Sequence, residues 1–284
     1  MTAYLDRLGR RIAAVRTVLC LGIDPDPDGL PDGFSRDLRG VERMARLLVE
    51  AASPFAAAVK PNLAFFEAFG SEGVAALERV RRAVPPDVLV IADAKRGDIG
   101  STAARQAAAL FDVLGADAVT ANPYLGAEAI APLLSRSDRF VYVLCRTSNP
   151  GAGELQDLQV APDPLTRLPG EALHERVARL ARAWSERYGT VGLVVGATAP
   201  HELASIRRVA PDLPFLVPGV GAQGGDVTSA LQHGRAVEGA AARIMAGALL
   251  VNVSRGVASG ASASPDPGEG IASAARTWAE RLRV

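Results

Sequence analysis

Eight short, predominantly apolar runs recur through this chain, each followed by a longer stretch with helical spacing. The runs are Val18–Ile23, Ala57–Lys60, Val88–Ala92, Ala118–Ala121, Phe140–Cys145, Val191–Gly196, Phe215–Val217 and Ala248–Val253. Between them lie helix-like segments such as Leu38–Ala52, Glu72–Ala83, Thr102–Leu114, Glu171–Tyr188 and Gly225–Ala242. A strand without polar alternation is buried on both faces, as in a parallel sheet covered by helices. Eight strand–helix units within roughly 250 residues predict a closed (β/α)8 TIM barrel of the α/β class. The pattern alone also admits a doubly wound open sheet. The expected organisation is a single domain over residues 1–284.

Two segments break the alternation. Residues 149–169 are rich in Pro, Gly and Gln and follow the fifth run. An excursion of that length in a compact domain is usually a functional flap or a mobile loop. Residues 258–270 read ASGASASPDPGEG, a low-complexity composition that predicts a flexible linker into a last helix ending near Arg281.

Charge narrows the function classes. Lys plus Arg and Asp plus Glu number 31 each, so no net field draws the protein to nucleic acid or an anionic membrane. The N-terminus, MTAYLDRLGRRIAAV, carries charges throughout and lacks the apolar centre of a signal peptide. No run is long enough to span a membrane, and a cytoplasmic protein is expected. Cys20 and Cys145 sit in separate apolar runs and read as packing residues. His174, His201 and His233 lack metal-ligand spacing, so neither a metal site nor a Ser-His-Asp triad is expected.

In a barrel of this kind chemistry collects at the carboxyl ends of the strands. Here those ends carry Asp24, Lys60, Asp93 with Lys95, Arg146 and Arg255. A charge at the end of a buried strand needs a partner or a function, because desolvating it alone is costly. Asp93 and Lys95 are two apart, so on an extended strand both point to one face, with Lys60 alongside on the preceding strand. Asp98 follows Gly97 and lies beyond the strand end. Taken singly, each has a structural explanation. Asp93 and Lys95 could be an ion pair, Asp98 a helix N-cap, Lys60 a snorkelling lysine, and Asp24 part of a Pro- and Gly-rich turn. Four such residues on three adjacent strand ends are harder to explain away together.

A second cluster, VPGVGAQGGD at 217–226, follows the seventh run. Its glycines free the backbone to aim N–H groups at an anion, and Gln223 adds an amide donor. The eighth run leads to Arg255, whose guanidinium can grip phosphate oxygens in pairs. Loops after strands seven and eight are where many barrels hold phosphate. The residues therefore point to a phosphorylated small substrate and a Lys/Asp catalytic array; a solvated surface loop is the plain alternative.

The run DAKRGDIGST resembles the Asp-x-Lys-x-x-Asp signature of orotidine 5'-monophosphate decarboxylases. Four further landmarks resemble the bacterial long-chain branch of that family: LGIDPDP, VKPNLAFFEAFG, TSNPGA, and PGVGAQGGD before NVSRG. The resemblance covers roughly residues 18–257, and five landmarks in order are far more specific than the signature alone. It implies decarboxylation of orotidine 5'-monophosphate to UMP, the final step of de novo pyrimidine nucleotide synthesis, without cofactor or metal. It implies catalytic roles for Lys60, Asp93, Lys95 and Asp98. Asp98 would come from the other subunit of a homodimer, accompanied by Ile99 and Thr102. Asp24 would contact the ribose, Ser148 the pyrimidine, and Gln223 with Arg255 the phosphate. The implied reaction leaves an electron pair at C6 that the ring delocalises poorly. Charge stabilisation and protonation by Lys95 suit that demand.

Three rivals remain on the residues alone. A sugar-phosphate decarboxylase or aldolase of the same barrel group would use a divalent metal held by an acidic residue where Lys60 stands. A Schiff-base aldolase would trap substrate on Lys95. A nucleotide-binding protein without turnover would keep the pocket, although the charged array is then unexplained.

Overall fold

The computed structural model describes residues 2–165 and 167–284. Met1, and Thr166 within the 149–169 segment, lie outside the described residues. Every apolar run becomes a barrel strand. In chain order these are β1 (Leu19–Ile23), β2 (Ala58–Pro61), β3 (Leu89–Arg96), β4 (Ala118–Ala121), β5 (Phe140–Arg146), β6 (Val191–Val195), β7 (Phe215–Val217) and β8 (Leu250–Val253). All neighbours pair in parallel, and the sheet closes in the order β1-β8-β7-β6-β5-β4-β3-β2. The barrel expectation holds, and the open sheet is excluded.

Period-two alternation sorts the strand residues into two apolar layers. Leu19, Leu21, Val59, Val90, Val119, Val141, Val251 and Val253 face outward into the layer shared with the helices. Cys20, Ala58, Leu89, Ile91, Ala118, Tyr142, Leu216 and Leu250 fill the barrel interior. Continuing the same alternation by one step brings Lys60, Asp93, Thr120 and Asn252 to the upper interior, and on β1 a second step, past Gly22, brings Asp24. The register supports this, with Gly22 opposite Lys60 and Cys20 opposite Asn252.

The lower end of the barrel is sealed by the helix Ala3–Val15, which Thr2 caps. It buries Tyr4, Leu5, Leu8 and Ile12. Tyr4 stacks on Phe140 at 4.7 Å between ring centroids, and its hydroxyl lies 3.2 Å from that of Tyr142. Each such apolar side chain contributes about 1.5–3 kcal/mol on burial.

The outer helices follow the expected segments with instructive departures. Leu38–Ala52 forms as expected. The helix expected over 225–242 ends at His233, because the Arg207 guanidinium collects the carbonyls of His233 and Gly234 together with those of Ala210 and Leu213. The helix expected from Glu171 starts at Leu173, since Glu171 and Ala172 pair with Val160 and Gln159 in a two-stranded ribbon. The 149–169 excursion is tied down at its base. Arg146 makes a two-pronged bond to Asp157 at 2.8 and 3.0 Å, and His174 Nδ1 lies 2.9 Å from the Gln156 carbonyl oxygen.

The 258–270 run does not form the expected flexible linker. Ser259–Ser262 is a 3-10 turn with Gly260 and Ala261 buried, and Gly260 packs backbone to backbone against Gly270. Small residues permit this close approach, which composition alone reads as low complexity. The helix that follows, Pro267–Arg281, is capped by Asp266 and packs against Leu38–Ala52, closing the outer ring.

Candidate active site

The mouth of the barrel holds a cavity of about 500 Å³. Seven of the ten expected site residues line it: Asp24, Lys60, Asp93, Lys95, Ser148, Gln223 and Arg255. At its base the Lys60 ammonium bonds Asp93 Oδ2, while Lys95 Nζ lies 2.6 Å from Asp93 Oδ1. The Lys60 side chain is 6% exposed and that of Asp93 11%, whereas Lys95 is half exposed at the cavity side of the pair.

This array keeps its charges in spite of burial. Desolvation alone would raise the Asp93 pKa, but the Lys60 and Lys95 ammoniums outweigh it and hold the carboxyl well below the usual carboxylate range. Desolvation alone would lower the Lys60 pKa, but the Asp93 and Asp24 carboxylates outweigh it and hold it above the ordinary lysine value. Just beneath, burial pushes the Cys20 thiol up to about 12, so this cysteine stays protonated packing.

β3 does not end at Ala92 as expected but runs on through Asp93, Ala94, Lys95 and Arg96. Its pairing with β4 shifts between Ala92 and Arg96, a bulge that spends four residues where β4 spends two. Lys95 sits in the bulge with φ 49°, a left-handed conformation uncommon for a residue with a side chain. The spacing argument thus predicts the right neighbours, but the bulge rather than plain strand alternation aims Lys95 at Asp93. The Thr120 hydroxyl fixes the bulge: Ala94 N and Lys95 N both donate to Thr120 Oγ1 at 3.0 Å.

Ser148 lies where Gly219, at φ 96°, approaches so closely that a methyl group there would come within 2.8 Å of its Cβ. The loop carrying Gln223 folds on itself through Gly225 N to Gly219 O and Gly224 N to Gly221 O. Gln223 and Arg255 are exposed at the rim, and the Arg255 guanidinium has no hydrogen bond or ion pair to any described residue.

Asp98, Ile99 and Thr102 are not brought to this cavity. Asp98 does not cap the following helix, whose N-cap is Ile99, and Ile99 is 60% exposed. Thr102 lines a separate groove with Leu63 and Arg96. Arg146, a strand-end charge, faces Asp157 and serves the 149–169 segment.

Thr120, Asn252 and Gln156, none of them an expected site residue, also stand in the cavity wall. The first two left a signal, since each is a lone polar residue inside an apolar strand. Asn252 Oδ1 and Asp24 Oδ1 are buried acceptors without a partner. Gln156, whose amide bonds Thr147, left none. Among the described residues no group of three His, Cys, Asp or Glu side chains converges as a metal site. No described helix is long and apolar enough to cross a membrane.

Known proteins share the sequence and the fold of this chain. The sequence model of the orotidine 5'-phosphate decarboxylase / HUMPS family matches residues 17–267. An orotidine 5'-phosphate decarboxylase of Thermomicrobium roseum is 47% identical over 281 residues, covering 99% of this chain and 94% of the relative. One from Halorubrum lacusprofundi is 45% identical, covering 99% and 97%. The solved structure of Leishmania donovani OMP decarboxylase superimposes with a TM-score of 0.81 at 39% identity, covering 99% of this chain and 98% of that one. With its barrel, its buried Lys–Asp–Lys array and these relatives over nearly its whole length, the chain belongs to the orotidine 5'-phosphate decarboxylase / HUMPS family.

Proposed function

We propose that this chain decarboxylates orotidine 5'-monophosphate to UMP and CO2, the closing step of pyrimidine nucleotide synthesis, and does so in the cytoplasm. The observation that carries the reading is the continuous Lys60–Asp93–Lys95 array at the base of a cavity whose rim presents an unpaired arginine. The substrate fits end to end. Arg255 and Gln223 take the phosphate, and the orphan acceptors on Asp24 and Asn252 suit ribose hydroxyls, which donate. Ser148 faces the pyrimidine.

In the reaction the C6–carboxylate bond breaks and its electron pair stays on C6. The Lys95 ammonium stabilises that charge and then transfers a proton from Nζ to C6, giving UMP. Being half exposed, Lys95 regains its proton from solvent. Asp93, held ionised by the two lysines, lies against the departing carboxylate. Two unit charges 4 Å apart at an effective dielectric of 20 repel by about 4 kcal/mol, which favours loss of CO2. Lys60 keeps Asp93 in place and charged.

The site as proposed is completed by a second copy of the chain, which supplies Asp98, Ile99 and Thr102. Their position outside their own cavity and the exposure of Ile99 support a homodimer. The decisive assay follows the absorbance of orotidine 5'-monophosphate with and without exhaustive EDTA. Full turnover in both is expected. Loss of activity restored by Mg²⁺ would favour the metal-dependent decarboxylases of this barrel group, in which an acidic residue would stand at the position of Lys60.

A further inference from the structure

The indole of Trp278, 8% exposed on the closing helix Pro267–Arg281, reaches the rim of the cavity from outside. Its Nε1 donates to the carbonyl of Gly256, the residue after Arg255, at 3.1 Å. A methyl group at Gly256 would lie 2.7 Å from Nε1, and one at Gly221 would lie 3.1 Å from Cζ2 and Cη2. One rigid ring therefore touches both loops: with its pyrrole edge the turn that carries Arg255, and with its benzo edge the loop that carries Gln223. The Arg281 guanidinium stacks on it 4.1 Å from the ring centroid.

We propose that Trp278 is a positioning residue for the phosphate end of the substrate, holding the two loops at the separation at which Gln223 and Arg255 converge on one phosphate. This rests on the phosphate assignment above. From Gly219 to Gly225 the first loop is held by its own backbone bonds, Gly224 to Gly221 and Gly225 to Gly219, and in the other Val257 and Ala258 bond Ser254. Gly219, Gly221 and Gly224 all have positive φ, so the first loop is built from residues with wide conformational freedom. A bicyclic side chain with two rotatable bonds restricts such loops at little entropic cost of its own. Glycine at 221 and 256 is what lets the ring come this close to both.

The test compares wild type, Trp278→Leu and Trp278→Phe on orotidine 5'-monophosphate and on orotidine, which lacks the phosphate, with Arg255→Ala in parallel. For Trp278→Leu, kcat/KM on the nucleotide should fall about tenfold or more, while kcat/KM on orotidine stays within about twofold of wild type. Trp278→Phe keeps a ring near Gly221 but loses the bond to Gly256, and should fall between. A parallel loss on both substrates would mean that Trp278 merely supports the fold. If Arg255→Ala leaves the preference for the nucleotide intact, the phosphate assignment itself is wrong. If Arg255→Ala abolishes that preference and Trp278→Leu does not, the assignment stands and the positioning role is overturned. A second readout needs no destabilising change at Trp278. The chain has two tryptophans, so Trp184→Phe leaves Trp278 as the sole indole reporter. Saturating UMP should shift its emission and saturating uridine should not; equal responses would overturn the proposal.

Discussion

Thr120 donates its hydroxyl hydrogen to Asp93 Oδ1 at 3.0 Å, and the same oxygen receives the amides of Ala94 and Lys95 from the neighbouring strand. One hydroxyl thus fixes both the carboxylate at the centre of the array and the backbone that carries its exposed lysine. Thr120→Val keeps the shape, removes the bond to a charged acceptor and leaves two amides without a partner. A hydrogen bond to a charged group is worth about 1.5–3 kcal/mol, so kcat/KM should fall roughly ten- to a hundredfold. Thr120→Ser should retain most of the activity. Steady-state kinetics on the two variants check this; equal activity of Val and Ser would show that the bulge is held by other means.

Lys95 is assigned both charge stabilisation and proton delivery, and its ammonium is half exposed rather than part of the packed interior. Lys95→Ala should therefore fold and bind UMP while turnover disappears. Calorimetric UMP binding beside a long-time assay is the measurement. More than a few per cent of residual activity would assign the proton to another group.

The buried Lys60–Asp93 pair makes a prediction for pH. The folded pKa of Asp93 lies below its unfolded value. Its contribution to stability is therefore complete above the ordinary carboxylate pKa of about 3.9 and is lost as pH falls through the folded value. The folded pKa of Lys60 is raised, so its contribution is complete below the ordinary lysine pKa of about 10.4 and is lost only as pH rises through the folded value. Asp93→Asn should be less stable than wild type near pH 7, with a gap that narrows below about pH 4. Urea melts at a series of pH values measure the gap; a constant gap would show that Asp93 titrates alike in both states.

Asp98 lies beyond the end of β3 and outside the cavity of its own chain. If the partner's cavity uses it, Lys95→Ala and Asp98→Ala chains, each inactive, should complement after subunit exchange. Random exchange makes half the dimers hybrid, each with one intact site, so activity should recover to about a quarter of wild type. Native mass spectrometry establishes that hybrids form. Hybrids without activity would confine Asp98 to its own chain.

Much of the fold and the centre of the site can be read from the residues, because period and charge are local properties. Predominantly apolar runs demand burial on two faces, and the charges at their ends mark the mouth of the barrel. What escaped the reading depends on contacts distant in sequence. β3 extends past Ala92 because Thr120 on another strand receives its amides. The helix after Asp226 stops at His233 because Arg207, far back in the chain, takes its terminal carbonyls. Gly260 and Gly270 look like linker residues until their backbones are seen in contact. The 146–157 tie needs Arg146 to face Asp157 rather than the cavity, a choice that strand-end position does not reveal.

The helix Ala3–Val15 and the packed aromatic rings beneath the array have a kinetic corollary. The barrel axis is a blind shaft, and in the proposed reaction CO2 is set free at its floor beside Asp93. On that reading gas, nucleotide and the solvent proton that restores Lys95 must all use one doorway. In the proposed reaction, the small product leaves past the large one, between the loops that carry Gln223 and Arg255.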